Sequence, residues 1–144
     1  HTRSLSVSWG SEMCIRDSSV GDEVIKYVAG CIKQRVKGSG FAGRFGGDEF
    51  VLCITDPKQI EEIESLSLDL IDELYEGYHS ELANVSINVK ASIGIAFYPE
   101  HGDDSNKVVA AADEAMYFVK KNGKANYHIY QPEDSEMEDL QHTL

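Results

Sequence analysis

The stretch Arg44-Phe45-Gly46-Gly47-Asp48-Glu49-Phe50 decides how the rest of the chain is read. Two strand-like runs, Phe41 to Phe45 and Phe50 to Thr55, are separated only by Gly46, Gly47, Asp48 and Glu49. Paired glycines at that spacing predict a tight hairpin. They let the backbone take positive φ and keep side chains out of a ligand's way. Two carboxylates follow at once. Adjacent acids repel unless a cation neutralises them, and hard divalent ions choose oxygen ligands of this kind together with substrate phosphates. Alone, these residues support two readings: a glycine-lined, metal-assisted phosphate site, or an acidic turn that faces water.

Working outward, Val24, Val28, Cys31 and Ile32 recur at helical spacing after Gly21 and Asp22, and Gly38 and Gly40 close that helix. After the hairpin, Pro57 suits a first helical turn. Ile60, Ile63, Leu70, Leu74 and Tyr78 form a stripe up to roughly His79. From Val85 to Phe97 apolar and polar residues alternate without interruption, predicting one long strand with one face on a core. A last helix spans Ser105 to Asn122, with Val108, Ala112, Ala115, Met116 and Val119 inward, and a strand follows around Tyr127–Tyr130. Residues 1 to about 18 show no defensible period. The order predicts an α+β domain, helices flanking a mainly antiparallel central sheet.

With 144 residues the chain has room for one core. A formal charge of −12 argues against nucleic acid as partner, since phosphate backbones are held mainly by Lys and Arg. No apolar run approaches the roughly 20 residues that cross a bilayer. No signal peptide is visible either, so no membrane contact is expected of this segment, and the chain is expected to be cytoplasmic or the cytoplasmic end of a larger protein. Cys14, Cys31 and Cys53 are odd in number and widely spaced, which predicts buried or incidental thiols rather than disulfides or zinc.

Arg-Phe-Gly-Gly-Asp-Glu-Phe between two strands resembles the signature of the GGDEF domain family, the diguanylate cyclases. Other segments resemble the same family in order and at its spacing: Val20-Gly21-Asp22-Glu23-Val24, Ser92-Ile93-Gly94-Ile95-Ala96, and Ala112-Asp113-Glu114-Ala115-Met116-Tyr117 with Lys120 and Gly123-Lys124. The likeness covers about residues 20 to 130. It implies a nucleotidyl-cyclase-like palm that condenses two GTP into cyclic di-GMP and pyrophosphate, with Mg²⁺ or Mn²⁺, across a homodimer.

The resemblance also implies residue roles. Asp48 and Glu49 are the catalytic and metal-binding carboxylates, with Asp48 taking the attacking hydroxyl's proton. Gly46 and Gly47 pass close to the nucleotide, Asp22 reads the guanine edge, and Lys120 and Lys124 grip phosphates. Each lysine alone would read as solvated surface. Asp22 alone would read as a helix N-terminal acid, worth about 0.3–1 kcal/mol against the dipole.

Two departures stand out. Counting back from Asp22, the family's Asp-x-Asp falls on Leu5 and Val7 and its guanine-reading Asn on Met13. Residues 1–19 are therefore expected to be non-native or degenerate. The former is preferred because the likeness stops abruptly, and the sheet is expected to lack its first strand. The domain is then partial, 20–131, with an acidic tail or linker at 132–144. The alternative function is a catalytically inactive GTP-binding module acting through a partner. Second, Lys37 and Gly40 stand where many members carry the Arg and Asp of a product-inhibition site, so that site is expected to be absent.

Overall fold

The computed structural model describes residues 2–11, 18–38, 40–46, 49–55, 60–123 and 125–134. Five strands form one sheet in the order β2-β3-β1-β6-β7. They are β1 (Thr2–Ser11), β2 (Gly40–Gly46), β3 (Glu49–Thr55), β6 (Val89–Phe97) and β7 (Tyr127–Ile129). All neighbours are antiparallel except β6 and β7. A separate ribbon pairs β4 (Tyr78–Ser80) with β5 (Val85–Ile87).

Helix α1 (Ser18–Val36) buries Val24, Val28, Cys31, Ile32 and Val36, a stripe at the helical period. Gly38, with φ of +80°, turns the chain out of it. Helix α2 (Ile60–Glu76) buries Ile63, Leu70, Ile71 and Leu74 in the same core as α1. Helix α3 (Ser105–Lys121) is capped by Asp104, whose side chain accepts from the Lys107 amide, and packs on the sheet's other side. Its Val108, Ala111 and Ala112 meet Ala96.

Three expectations need correction. First, the sheet does not lack its first strand. Residues 2–11 lie between β3 and β6 and pair with both, Leu5 opposite Leu52 and Ile95. The physical demand comes from the neighbours, since backbone groups of two strands left facing a gap must be paired. Leu5, Val7 and Trp9 alternate with Ser4, Ser6, Ser8 and Gly10, so a strand period of two is present in this stretch after all and corrects the expectation that it has none. Second, α2 ends at Glu76 rather than near His79. Gly77, at φ +94°, turns the chain into the ribbon, and the turn at 81–84 folds Val85–Ile87 back onto Tyr78–Ser80, so the run from Val85 splits at Asn88 into β5 and β6. Third, β6 is covered on both faces. Ile93 and Ile95 are fully buried on one side, and Ser92, Gly94 and Ala96 are buried towards α3.

Candidate functional site

Glu49 opens β3, opposite Ser8 of β1 and Gly46 of β2. It borders a cavity of about 210 Å³ whose other wall is α3: Asp113, Glu114, Met116, Tyr117 and Lys120. Residues 113, 117 and 120 share one face of α3 because they lie four and seven apart. What brings that face so close is Gly94. A Cβ there would lie 1.9 Å from the Ala112 carbonyl oxygen and 2.3 Å from the Met116 nitrogen. Only a glycine lets the helix settle at this depth.

The cavity is acidic, with three carboxylates and one lysine among its lining. The Asp113 Oδ1 atom is buried without a hydrogen-bond partner, so its desolvation is uncompensated unless a cation arrives. Lys120, half-buried, is the cation of this set. Among the described residues no group of three or more His, Cys, Asp or Glu is gathered as a ready metal cluster.

Consecutive strand residues point to opposite sides of a sheet. Glu49 borders the cavity beside α3, and Phe50, buried, borders a second one of about 290 Å³ on the α1 side. That second cavity has Ile25, Ala29 and Ile32 of α1 on one wall and Ala42, Gly43 and Arg44 of β2 on the other, with Lys26 and Lys33 at its rim. Asp22 lies three and four residues before Ile25 and Lys26, so it continues this face one turn towards the helix start. Its side chain is exposed. Because α1 begins at Ser18, Asp22 is not in the first turn, where the dipole acts most strongly.

The structure thus pairs Gly46 with Glu49, sets Glu49 and Lys120 on one cavity, and leaves Asp22 one helical turn before the α1 wall of the neighbouring trough. Gly47, Asp48 and Lys124 lie outside the described residues, as does Cys14. Cys31 is a buried free thiol, as expected, and Cys53 is half-buried. Residue roles for Asp113 and Glu114 were missed by sequence reasoning. The 113, 117, 120 spacing was readable, but which face of α3 meets β3 was not.

β1 supplies no carboxylate alongside Glu49, for Thr2–Ser11 contains neither Asp nor Glu. On the inhibitory-site positions, Lys37 is exposed and Gly40 opens β2. A Cβ on Gly40 would lie 1.8 Å from the Cys53 carbonyl oxygen, so the backbone there has room for glycine alone.

No helix among the described residues is long and apolar enough to cross a membrane. The chain is 31% identical over 113 residues to the signaling protein YkoW of Bacillus subtilis, covering 78% of this chain and 14% of that protein. Among solved structures, an EAL/GGDEF domain protein from M. capsulatus superposes with a TM-score of 0.80 at 25% identity, covering 91% of this chain and 85% of that one. The GGDEF domain of DgcB from Caulobacter crescentus, solved in complex with c-di-GMP, shares the fold with a TM-score of 0.72 at 22% identity, covering 89% of this chain and 77% of that one. The chain spans about a seventh of the length of that Bacillus subtilis relative. The family model described as "Diguanylate cyclase, GGDEF domain" matches residues 18–126, and the chain belongs to that family.

Proposed function

We propose that this chain is the GTP-holding domain of a diguanylate cyclase, acting as a homodimer, and that turnover is impaired in the chain as it stands. The observation that carries the reading is the cavity that Glu49, at the start of β3, lines together with Asp113 and Lys120 on the facing wall of α3. The triphosphate lies against Lys120 and Lys124, with Gly46 and Gly47 giving it close access to the backbone. The guanine takes the neighbouring trough beside Ile25, where Asp22 accepts from the donors on its Watson–Crick edge. Two such domains face each other. Each 3′-oxygen bonds to the α-phosphorus of the other nucleotide, the bond from that phosphorus to the β-phosphate bridge breaks, and pyrophosphate leaves. Asp48 receives the hydroxyl proton.

The donors Asp48 and Glu49 are all oxygen, and the buried, partnerless Asp113 Oδ1 calls for positive charge nearby, so the residues fit a hard divalent ion. Mg²⁺ or Mn²⁺ held by Asp48 and Glu49 would neutralise charge gathering on the phosphates.

A second reading is supported by β1. The strand alongside Glu49 has no carboxylate, which leaves Asp48 and Glu49 to hold ions alone and favours a GTP-binding module that signals through a partner. Mass spectrometry of the 144-residue chain with GTP and Mg²⁺ tests the nucleotide site and the impairment that both readings share. We expect GTP to bind in preference to ATP while little or no cyclic di-GMP forms. Robust product would overturn the impairment, and failure to bind GTP would overturn the nucleotide site itself.

A further inference from the structure

The β4–β5 ribbon lies apart from both cavities, yet it is tied to the helix that carries Asp22. The fully buried Ser80 Oγ donates to the Glu23 carboxylate at 2.9 Å and accepts from the Ala83 amide at 3.2 Å. One turn along α1 the Tyr27 hydroxyl donates to the Gly77 carbonyl at 3.1 Å, and its ring stacks on Tyr78 with centroids 5.0 Å apart. Glu23 and Tyr27 are four apart and so share one face of the helix.

The ribbon itself is stiffly held. Gly77 sits at φ +94° with no room for a Cβ, which would lie 2.5 Å from the Ile87 carbonyl oxygen. The Asn88 amide group donates to the Tyr75 carbonyl at 2.8 Å. A helix gripped at two points on one flank is unable to roll about its axis. Rolling is the motion that would turn Asp22, the residue before Glu23, away from the trough.

We propose that the β4–β5 ribbon braces α1 against rotation, with Ser80 and Glu23 as positioning residues for the guanine-reading carboxylate of Asp22. Glu23 is a poor candidate for a mere surface acid, because it is half-buried and spends its charge on a hydroxyl that is wholly out of water. Removing either partner leaves the other without its hydrogen bond, a cost the helix can escape by turning. The inference rests on the nucleotide reading above and specifies what sets its base preference.

The test is equilibrium binding of GTP and of ATP to the 144-residue chain in Mg²⁺, read as the ratio of the two affinities, with a melting curve for every variant. Asp22→Ala should abolish the preference for GTP. Ser80→Ala should lower that preference about fivefold. Glu23→Ala should match it, and it carries the test by itself if Ser80→Ala does not fold. Glu23→Gln still accepts from the Ser80 hydroxyl and should keep the native ratio. In the Asp22→Ala background, Ser80→Ala should change the ratio no further. If Asp22→Ala erases the preference while Ser80→Ala and Glu23→Ala leave it at the native value, the brace is wrong and the nucleotide reading stands. If Asp22→Ala leaves the preference untouched, or the unmodified chain has none, the nucleotide reading falls and the brace falls with it.

Discussion

Asp22 and Gly40 each carry a consequence that one substitution exposes. Asp22 is exposed and one turn inside α1, so neither burial nor the helix dipole makes it important to the fold. Asp22→Ala should change unfolding free energy by no more than about 0.5 kcal/mol, as surface substitutions generally do. Its effect should fall on GTP affinity alone; a urea titration beside a binding isotherm checks both. Gly40 is the opposite case. An Asp placed there to rebuild an inhibitory site would drive its Cβ into the Cys53 carbonyl, which is backbone and unable to swing aside. Gly40→Asp should destabilise the chain by about 1–3 kcal/mol, as overpacking does, and should confer no tight cyclic di-GMP binding. Native-like urea midpoints together with submicromolar product binding would contradict this.

At the scale of elements, the distance between α3 and the sheet governs the site. Gly94 sets it, since Ala112 and Met116 come within 2.3 Å of where its Cβ would stand. Gly94→Ala must lift α3, at a cost of about 1–3 kcal/mol. The lift also carries Asp113 and Lys120 away from Glu49. Phosphate affinity should therefore drop by more than stability loss alone explains. Comparing GTP binding well below the melting temperature in Gly94→Ala and in a core variant of equal stability, such as Ile71→Val, isolates the geometric part. Equal binding in the two would show that α3 depth is unimportant to the site.

For the whole molecule, the seam between α1 and α2 sets how stability answers to pH. Burial raises the Cys31 thiol to about 11 and the Tyr27 phenol to about 12, with Glu73 adding to both. Both groups keep their protons longer when folded than when unfolded. The stability they contribute is whole below about pH 9, where the unfolded thiol starts to ionise, and declines as pH rises towards 11 and 12. Glu73 works on the acid side. Arg35, paired with it, holds its carboxyl below the ordinary value, so that contribution is present above about 4.5 and lost as pH falls. Urea midpoints should drop between pH 8 and pH 10.5, and Cys31→Ala with Tyr27→Phe should flatten the decline. A midpoint that holds steady in the unmodified chain over that range would refute the assignment.

Much of this was legible in the residues themselves. The hairpin at Gly46–Glu49, the inward faces of α1 and α3, and the strand at Tyr127 follow from glycine placement and from periods of 3.6 and 2, which are local properties of the chain. Family membership followed too, because the motif strings are local. Tertiary structure decided the rest. The alternation in Thr2–Ser11 was there to read, but its place between β3 and β6 depended on two distant strands needing a partner between them. Whether Val85 to Phe97 is one strand or two depended on the turn at 81–84, which folds Val85–Ile87 back onto Tyr78–Ser80. Alternation reports only that neighbouring residues face opposite ways, so it was silent on α3 covering the second face of β6. The meeting of Asp113 and Lys120 with Glu49 likewise turns on a close approach at Gly94. Those outcomes depend on contacts between residues far apart in sequence, which the free energy of the assembled core selects and no local pattern encodes.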